Sequence, residues 1–160
     1  MPNKLVIICG GVQIMANIIS QNMHLSRLLI FLWRYLLYIM KLSVLPRISG
    51  TINELTYCRL SRKEQTRISR IKRLNSRVGI LLNLHPSSQH LKSALSEIRV
   101  MIRHVEVWSE EKTKSSTRQH VSDLLSYLEE LEILIQIELE QIGILPRLIS
   151  AVKSLMSFLI

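Results

Sequence analysis

The sequence is poor in the residues that build most catalytic and metal sites. Asp123 is the only aspartate among 160 residues. The two cysteines, Cys9 and Cys58, lack the spacing of a metal-binding pair and are too few for a disulfide framework. Two scattered thiols favour a protein of a reducing compartment.

Other signs of chemistry are also absent from the pattern. Gly10 and Gly11 are not followed by the further glycine and lysine of a phosphate-binding loop. No spacing suggests a serine, histidine and acid triad. The histidines are scattered, without a paired cysteine or an acidic cluster: His24, His85, His90, His104 and His120. We therefore predict a non-enzymatic protein with no catalytic residues, no cofactor and no metal site.

Alternating strand patterns are almost absent, whereas apolar residues recur every three or four positions. This periodicity predicts an all-α protein, a small bundle of four to five helices with a long C-terminal helical hairpin. Three segments are expected. Residues 1–45 form an apolar N-terminal segment, residues 46–85 a basic amphipathic helix, and residues 86–160 a helical interaction module.

The apolar N-terminal segment allows two interpretations. The run Leu28–Met40 is shorter than the roughly 20 residues that cross a bilayer, and it contains Arg34. A charge at the bilayer centre costs about 2.5 to 3.5 kcal/mol on insertion scales. The segment is either a buried helix or membrane-associated. Pro46 is predicted to end its helix, because proline cannot continue the hydrogen-bond ladder.

Positive charge is concentrated in the front of the chain. Residues 1–85 hold 13 Lys and Arg against two acids, whereas residues 86–160 hold eight against ten. A basic helix is predicted from about Ile52 to Leu84, and its candidate patch is Arg59, Arg62, Lys63, Arg67, Arg70, Lys72, Arg73 and Arg77. The patch fits a solvated face, an anionic partner, or a nuclear-import signal. The anionic partners that such a patch suits are RNA bound non-specifically through its phosphate backbone, an acidic protein and an anionic membrane.

The segment His90–Trp108 predicts an amphipathic helix, which Ser87 or Ser88 can cap. Trp108 continues the apolar stripe and is expected in the core or at a partner-facing edge.

A longer helix is predicted from Ser116 or Thr117 to about Ile142. Its apolar residues Val121, Leu128, Ile135 and Ile142 fall seven residues apart, which suits either a homodimer or an intramolecular hairpin. Gly143 is predicted to end it and Pro146 to begin a last helix. The candidate residues for partner binding or for the core are Trp108, Leu128, Leu131 and Ile135.

One stretch carries a family pattern. His90, Leu91, Ser93 and Ala94 are followed by Leu95, Glu97 and Ile98, by Trp108, and then by Arg118 and Gln119. This stretch resembles the C accessory protein of paramyxoviruses, particularly the morbillivirus type. The resemblance covers about a fifth of the chain. That family's N-terminal part is usually polar and basic, whereas residues 5–45 here are apolar.

The resemblance implies a non-enzymatic viral accessory protein and virulence factor of the host cytoplasm. Such a protein binds host signalling proteins or the viral polymerase complex, antagonises interferon responses through STAT-type factors, and modulates viral RNA synthesis. The alternative, argued from residues 5–45, is a small membrane-associated helical protein anchored by its apolar N-terminal segment.

Overall fold

The protein is all-α. A computed structural model describes the backbone of residues 3–82, 86–111 and 115–159, and most side chains from 24 to 144. These residues form four helices and no strand: α1 Asn3–Tyr57, α2 Arg62–Leu81, α3 Ser88–Glu110 and α4 Ser115–Leu159. The predicted fold class is confirmed, with α3 and α4 as the C-terminal hairpin.

The chain divides into two compact units, Met1–Leu37 and Tyr38–Ile160. The first unit consists of the N-terminal part of α1. The second unit contains the rest of α1 together with α2, α3 and α4.

In the second unit, cross-helix contacts show that neighbouring helices run antiparallel. As residue numbers rise on one helix, those of their partners fall on the other. The contacts are Arg47–Glu130 and Glu54–His120 between α1 and α4, and Lys63–Glu111 and Arg77–Glu97 between α2 and α3. The second unit is therefore an antiparallel helical bundle.

Each helix of the bundle buries one stripe of apolar side chains. In α4, Val121, Leu128 and Ile135 are fully buried at seven-residue steps, whereas Ile142 is half-buried. The main stripes of the other helices are Val44, Ile48, Ile52 and Leu55 in α1; Ile68, Ile71, Leu74 and Val78 in α2; and Leu91, Ala94, Ile98, Met101, Val105 and Trp108 in α3. Full burial of one such aliphatic side chain contributes about 1.5 to 3 kcal/mol.

The prediction that Pro46 ends the first helix is wrong, because α1 continues through it to Tyr57. Val44 and Ile48, on either side, are fully buried. Pro46 itself is exposed, so water can reach the backbone carbonyl that loses its helical partner. An interior proline costs about 3 kcal/mol, which burial of the flanking stripe offsets.

The single basic helix predicted from Ile52 to Leu84 is also wrong, because the chain leaves α1 after Tyr57 and begins α2 at Arg62. Ser61 makes this start with a capping box. Its hydroxyl accepts from the Glu64 backbone N–H at 3.3 Å, and the Glu64 carboxylate accepts from the Ser61 N–H at 2.7 Å. The Ser-x-x-Glu spacing is a sequence signature of this cap.

The predicted cap at Ser87 is confirmed, since its hydroxyl accepts from the His90 N–H at 3.1 Å. The predicted stop at Gly143 is wrong, and the helix expected to begin at Pro146 is the end of α4. Gly143 has no positive φ, so it does not adopt the left-handed conformation that ends helices. A glycine inside a helix costs only about 1 kcal/mol. The apolar side chains predicted for residues 148–159 lie outside those described.

Candidate functional site

The structure divides the predicted basic patch into paired and unpaired side chains. Lys63 and Arg67 form ion pairs with Glu111, the C-cap residue of α3, and Arg77 forms one with Glu97 within α3. The other five are exposed and form no ion pair within the described part of the chain: Arg59, Arg62, Arg70, Lys72 and Arg73. The patch is therefore not a uniform cationic face.

Glu111 holds two of the paired cations. Arg67 donates to it through both terminal guanidinium nitrogens, at 3.0 and 3.1 Å, and Lys63 donates at 2.8 Å. These hydrogen bonds from Arg67 and Lys63 lower the pKa of Glu111 to about 2. The C-terminus of α3 is thereby tied to the first two turns of α2.

Trp108 lies at the same end of the bundle and is fully buried. Its indole Nε1 donates to Glu64 at 3.1 Å, and the Arg67 guanidinium lies 6.0 Å from its ring centroid. Burial raises the pKa of Glu64, but the hydrogen bonds from Ser61 and Trp108 outweigh it, so the pKa lies below its ordinary value. The capping carboxylate of α2 is therefore also the hydrogen-bond partner of the buried tryptophan.

The remaining candidate residues for partner binding or the core, Leu128, Leu131 and Ile135, are likewise 0% exposed. They lie on the inner face of α4, where a partner cannot reach them in this conformation. What Trp108 and these three residues contribute in this structure is packing.

His104 lies among cations. It is half-buried on α3, and burial lowers its pKa, reinforced by the charges of Arg70, Arg67 and Arg103. The imidazole is thus held in its neutral form.

A buried ion pair that the sequence did not indicate joins α1 to α4. Lys41 donates from Nζ to the Glu138 carboxylate, and both side chains are almost completely buried. The pairing could not be inferred without the register of the two helices, since 97 residues separate the partners.

Among the described side chains, most of the exposed large apolar residues lie on α1. Between Leu25 and Leu42 most large apolar side chains are 39% to 63% exposed, among them Leu28, Phe31 and Leu32. The stretch Arg27–Tyr57 is long and apolar enough to cross a membrane. Its most apolar 18 residues have a mean hydropathy of 1.8, and 17% of that segment is buried. The core helices of soluble proteins and signal sequences can be equally long and apolar. Soluble proteins rarely expose a continuous apolar surface of this kind without a partner.

Among the described residues, no group of three or more His, Cys, Asp or Glu side chains is arranged to hold a metal ion. Comparisons with protein-family models, with curated proteins and with solved structures find no match to the chain. Candidate sites are therefore identified from geometry and sequence pattern alone.

Proposed function

We propose that this chain is a non-enzymatic viral accessory protein that binds host signalling proteins or the viral polymerase complex. In this role it antagonises interferon responses and modulates viral RNA synthesis. The proposal rests on the resemblance of the His90–Trp108 stretch to the paramyxovirus C protein, and it places the protein in the host cytoplasm.

The observation that supports it is where the resembling residues lie in α3. Leu91, Ala94, Ile98 and Trp108 all lie on the buried face of the helix. The buried part of the pattern reflects a helical scaffold, because core identity is set by packing against neighbouring helices. Partner recognition then belongs to exposed residues of α2, α3 and α4, among them His90 and Ser93 of the resembling stretch.

The test is to express the full chain in cells that carry an interferon-promoter reporter, a STAT-responsive reporter and a paramyxovirus replicon. We expect lower reporter activity and altered viral RNA synthesis. Val107→Ala, at an exposed position beside the tryptophan, is the matched control for Trp108→Ala, which removes a core side chain. Wild-type protein that is expressed and folded but changes none of the three signals would contradict the proposal.

The second candidate function, membrane association, is favoured by the exposed apolar stretch of α1. The 18 residues from Leu25 to Leu42 span about 27 Å as a helix, close to the roughly 30 Å of a bilayer's hydrocarbon core. Arg34 opposes insertion, since a central arginine costs about 2.5 to 3.5 kcal/mol, and Lys41 near the end of the stretch is paired with Glu138 in the bundle. The surrounding leucines and aromatic side chains favour it.

Alkaline carbonate extraction of membranes from expressing cells tests this candidate. We expect the chain to stay with the membrane pellet. Arg34→Leu is expected to strengthen retention, and Leu32→Asp to weaken it. Complete release of the wild-type chain into the supernatant would exclude an integral membrane protein and leave the soluble accessory protein as the better proposal.

A further inference from the structure

The contact line between α2 and α3, here called the seam, has a pattern of facing positions that repeats every seven residues. Position 63 of α2 pairs with position 111, the C-cap of α3, and position 77 pairs with position 97 of α3, so position 70 lies opposite position 104 between them. Side chains seven residues apart return to one side of a helix after two turns. The outer two positions hold ion pairs, Lys63–Glu111 at 2.8 Å and Arg77–Glu97 at 2.6 Å.

The middle position breaks this pattern. There the register set by the two ion pairs places Arg70 opposite His104, whereas the two flanking positions carry a glutamate. Arg67 and Arg103 also lie near enough to disfavour protonation of the imidazole. The middle position thus has Arg70 on α2, His104 on α3 and no carboxylate, and Arg103, the residue before His104, donates from Nε to the Arg99 carbonyl at 3.4 Å.

The positive charge of this position is not neutralised within the described part of the chain. Arg67 shares its charge with Glu111, but Arg70 and Arg103 form no ion pair with a described residue. Glu106, three residues beyond Arg103, is exposed and forms none either. Cations gathered without a counter-charge repel one another and attract an anion from outside.

We propose that Arg70, Arg103 and His104 form a binding site for an acidic side chain of a partner protein. The two flanking positions show what the seam accommodates, since each receives one carboxylate. His104 is neutral, so it can donate one N–H to the anion beside the two guanidinium groups.

A protein carboxylate fits this site better than a nucleic acid. The two flanking positions of the seam each already receive a protein carboxylate, so the geometry of the seam is matched to that group. The described parts of α2 and α3 also present no exposed aromatic side chain for base stacking. The site goes beyond the function proposed above, because it serves any acidic protein partner, within interferon signalling or outside it.

A fluorescein-labelled peptide of five glutamates, titrated into the full chain at low salt, tests the proposal by fluorescence anisotropy. We expect binding that Arg70→Gln and Arg103→Gln each weaken about tenfold, the effect of losing one charge-assisted hydrogen bond. Lys72→Gln is the matched control, because it removes an exposed, unpaired charge from α2 outside the seam. It should change affinity by less than about twofold.

Two further measurements report on the site directly. His104→Glu supplies the missing carboxylate from within the chain, so peptide binding should be lost while the melting temperature rises. By NMR titration, the pKa of His104 should rise when the peptide saturates the wild-type chain, because a bound carboxylate favours the imidazolium.

Several results would overturn the proposal. They are absence of peptide binding at low salt, equal losses from Arg70→Gln and Lys72→Gln, or unchanged binding by folded His104→Glu. Inorganic phosphate that raises the His104 pKa when the peptide does not would make this a small-anion site. Preferential binding of a five-uridine RNA would assign the charge to nucleic acid.

Discussion

Two regions of the molecule are comparably rich in large apolar residues and differ in how those residues are covered. On α1, Leu32 is 50% exposed, whereas on α4 Leu128 is 0% exposed. In α4 the apolar residues form one stripe with glutamates beside it, so the helix has a buried face and a solvent face. Around Leu32, from Leu28 to Met40, apolar residues occupy every side of the helix and Arg34 alone interrupts them. The apolar content of a segment determines whether it is removed from water, and the periodicity of its apolar residues determines which surface they pack against.

The bundle buries its apolar residues against one another, whereas most large apolar side chains from Leu25 to Leu42 are exposed. A lipid bilayer or a partner protein would cover that stretch. The same kind of substitution should therefore have opposite consequences in the two regions.

The largest expected effect comes from placing one carboxylate in each region. Leu128→Asp buries an unpaired charge in the core and should prevent cooperative folding. Leu32→Asp should change the free energy of unfolding by no more than about 0.5 kcal/mol, because its site is already exposed. Circular dichroism and urea denaturation measure both. Strong destabilisation by Leu32→Asp would show that this stretch is packed, and would remove the contrast.

Removing the indole of Trp108 should have the next largest effect. Trp108→Ala is expected to cost about 3 to 5 kcal/mol of unfolding free energy, because it leaves a cavity in the core. Trp108→Phe keeps most of the ring volume but removes the donor to Glu64, and should cost about 1 to 2 kcal/mol. Val107→Ala is the exposed control, with a change under about 0.5 kcal/mol. An unchanged urea midpoint for Trp108→Ala would contradict a core role.

The buried pair between Lys41 and Glu138 provides a third comparison, within the bundle itself. Glu138→Ala leaves a buried ammonium without its partner and should cost about 3 kcal/mol. Replacing both partners, as Lys41→Met with Glu138→Leu, should recover most of that loss.

The control for this pair is Glu130→Ala, which breaks the half-exposed pair with Arg47 at 3.6 Å. Exposed pairs contribute at most about 1 kcal/mol. Equal losses from Glu138→Ala and Glu130→Ala in urea titrations would show that burial adds nothing to the Lys41 pair.

The pattern of the sequence was sufficient for the fold class and for most of the core. Leu91, Ile98, Val105 and Trp108 recur at helical spacing, and the burial of that stripe follows from the spacing alone. The cap at Ser87 was equally visible because Pro86 marks the break before it. Ser61 and Glu64 carry a similar signal, but the run of basic residues around them continues the pattern of a single helix.

Helix ends and cross-helix pairs were harder to predict, for a physical reason. Pro46 and Gly143 disfavour a helix locally, but packing over several turns outweighs a local cost of about 1 to 3 kcal/mol. The partners Lys41–Glu138 and Arg77–Glu97 depend on the register between helices, which local spacing does not contain. Of the candidate basic patch, the sequence identified the cations but not which of them α3 neutralises.

The smallest expected effect concerns the acid stability of the ion pairs that close the bundle at the end of α3. The pKa of Glu111 is lowered from an ordinary value of 4.5 to about 2, so the folded state binds its proton less readily than the unfolded chain. Its contribution to stability is therefore complete above about pH 4.5 and is lost as the pH falls towards 2. Glu111→Gln should flatten the dependence of the urea midpoint on pH within this window and leave the slope near pH 7 unchanged. Glu129→Gln, which removes an exposed carboxylate without a partner among the described residues, is the matched control. An identical acid profile for Glu111→Gln and wild type would mean that Arg67 and Lys63 do not hold this carboxylate in solution.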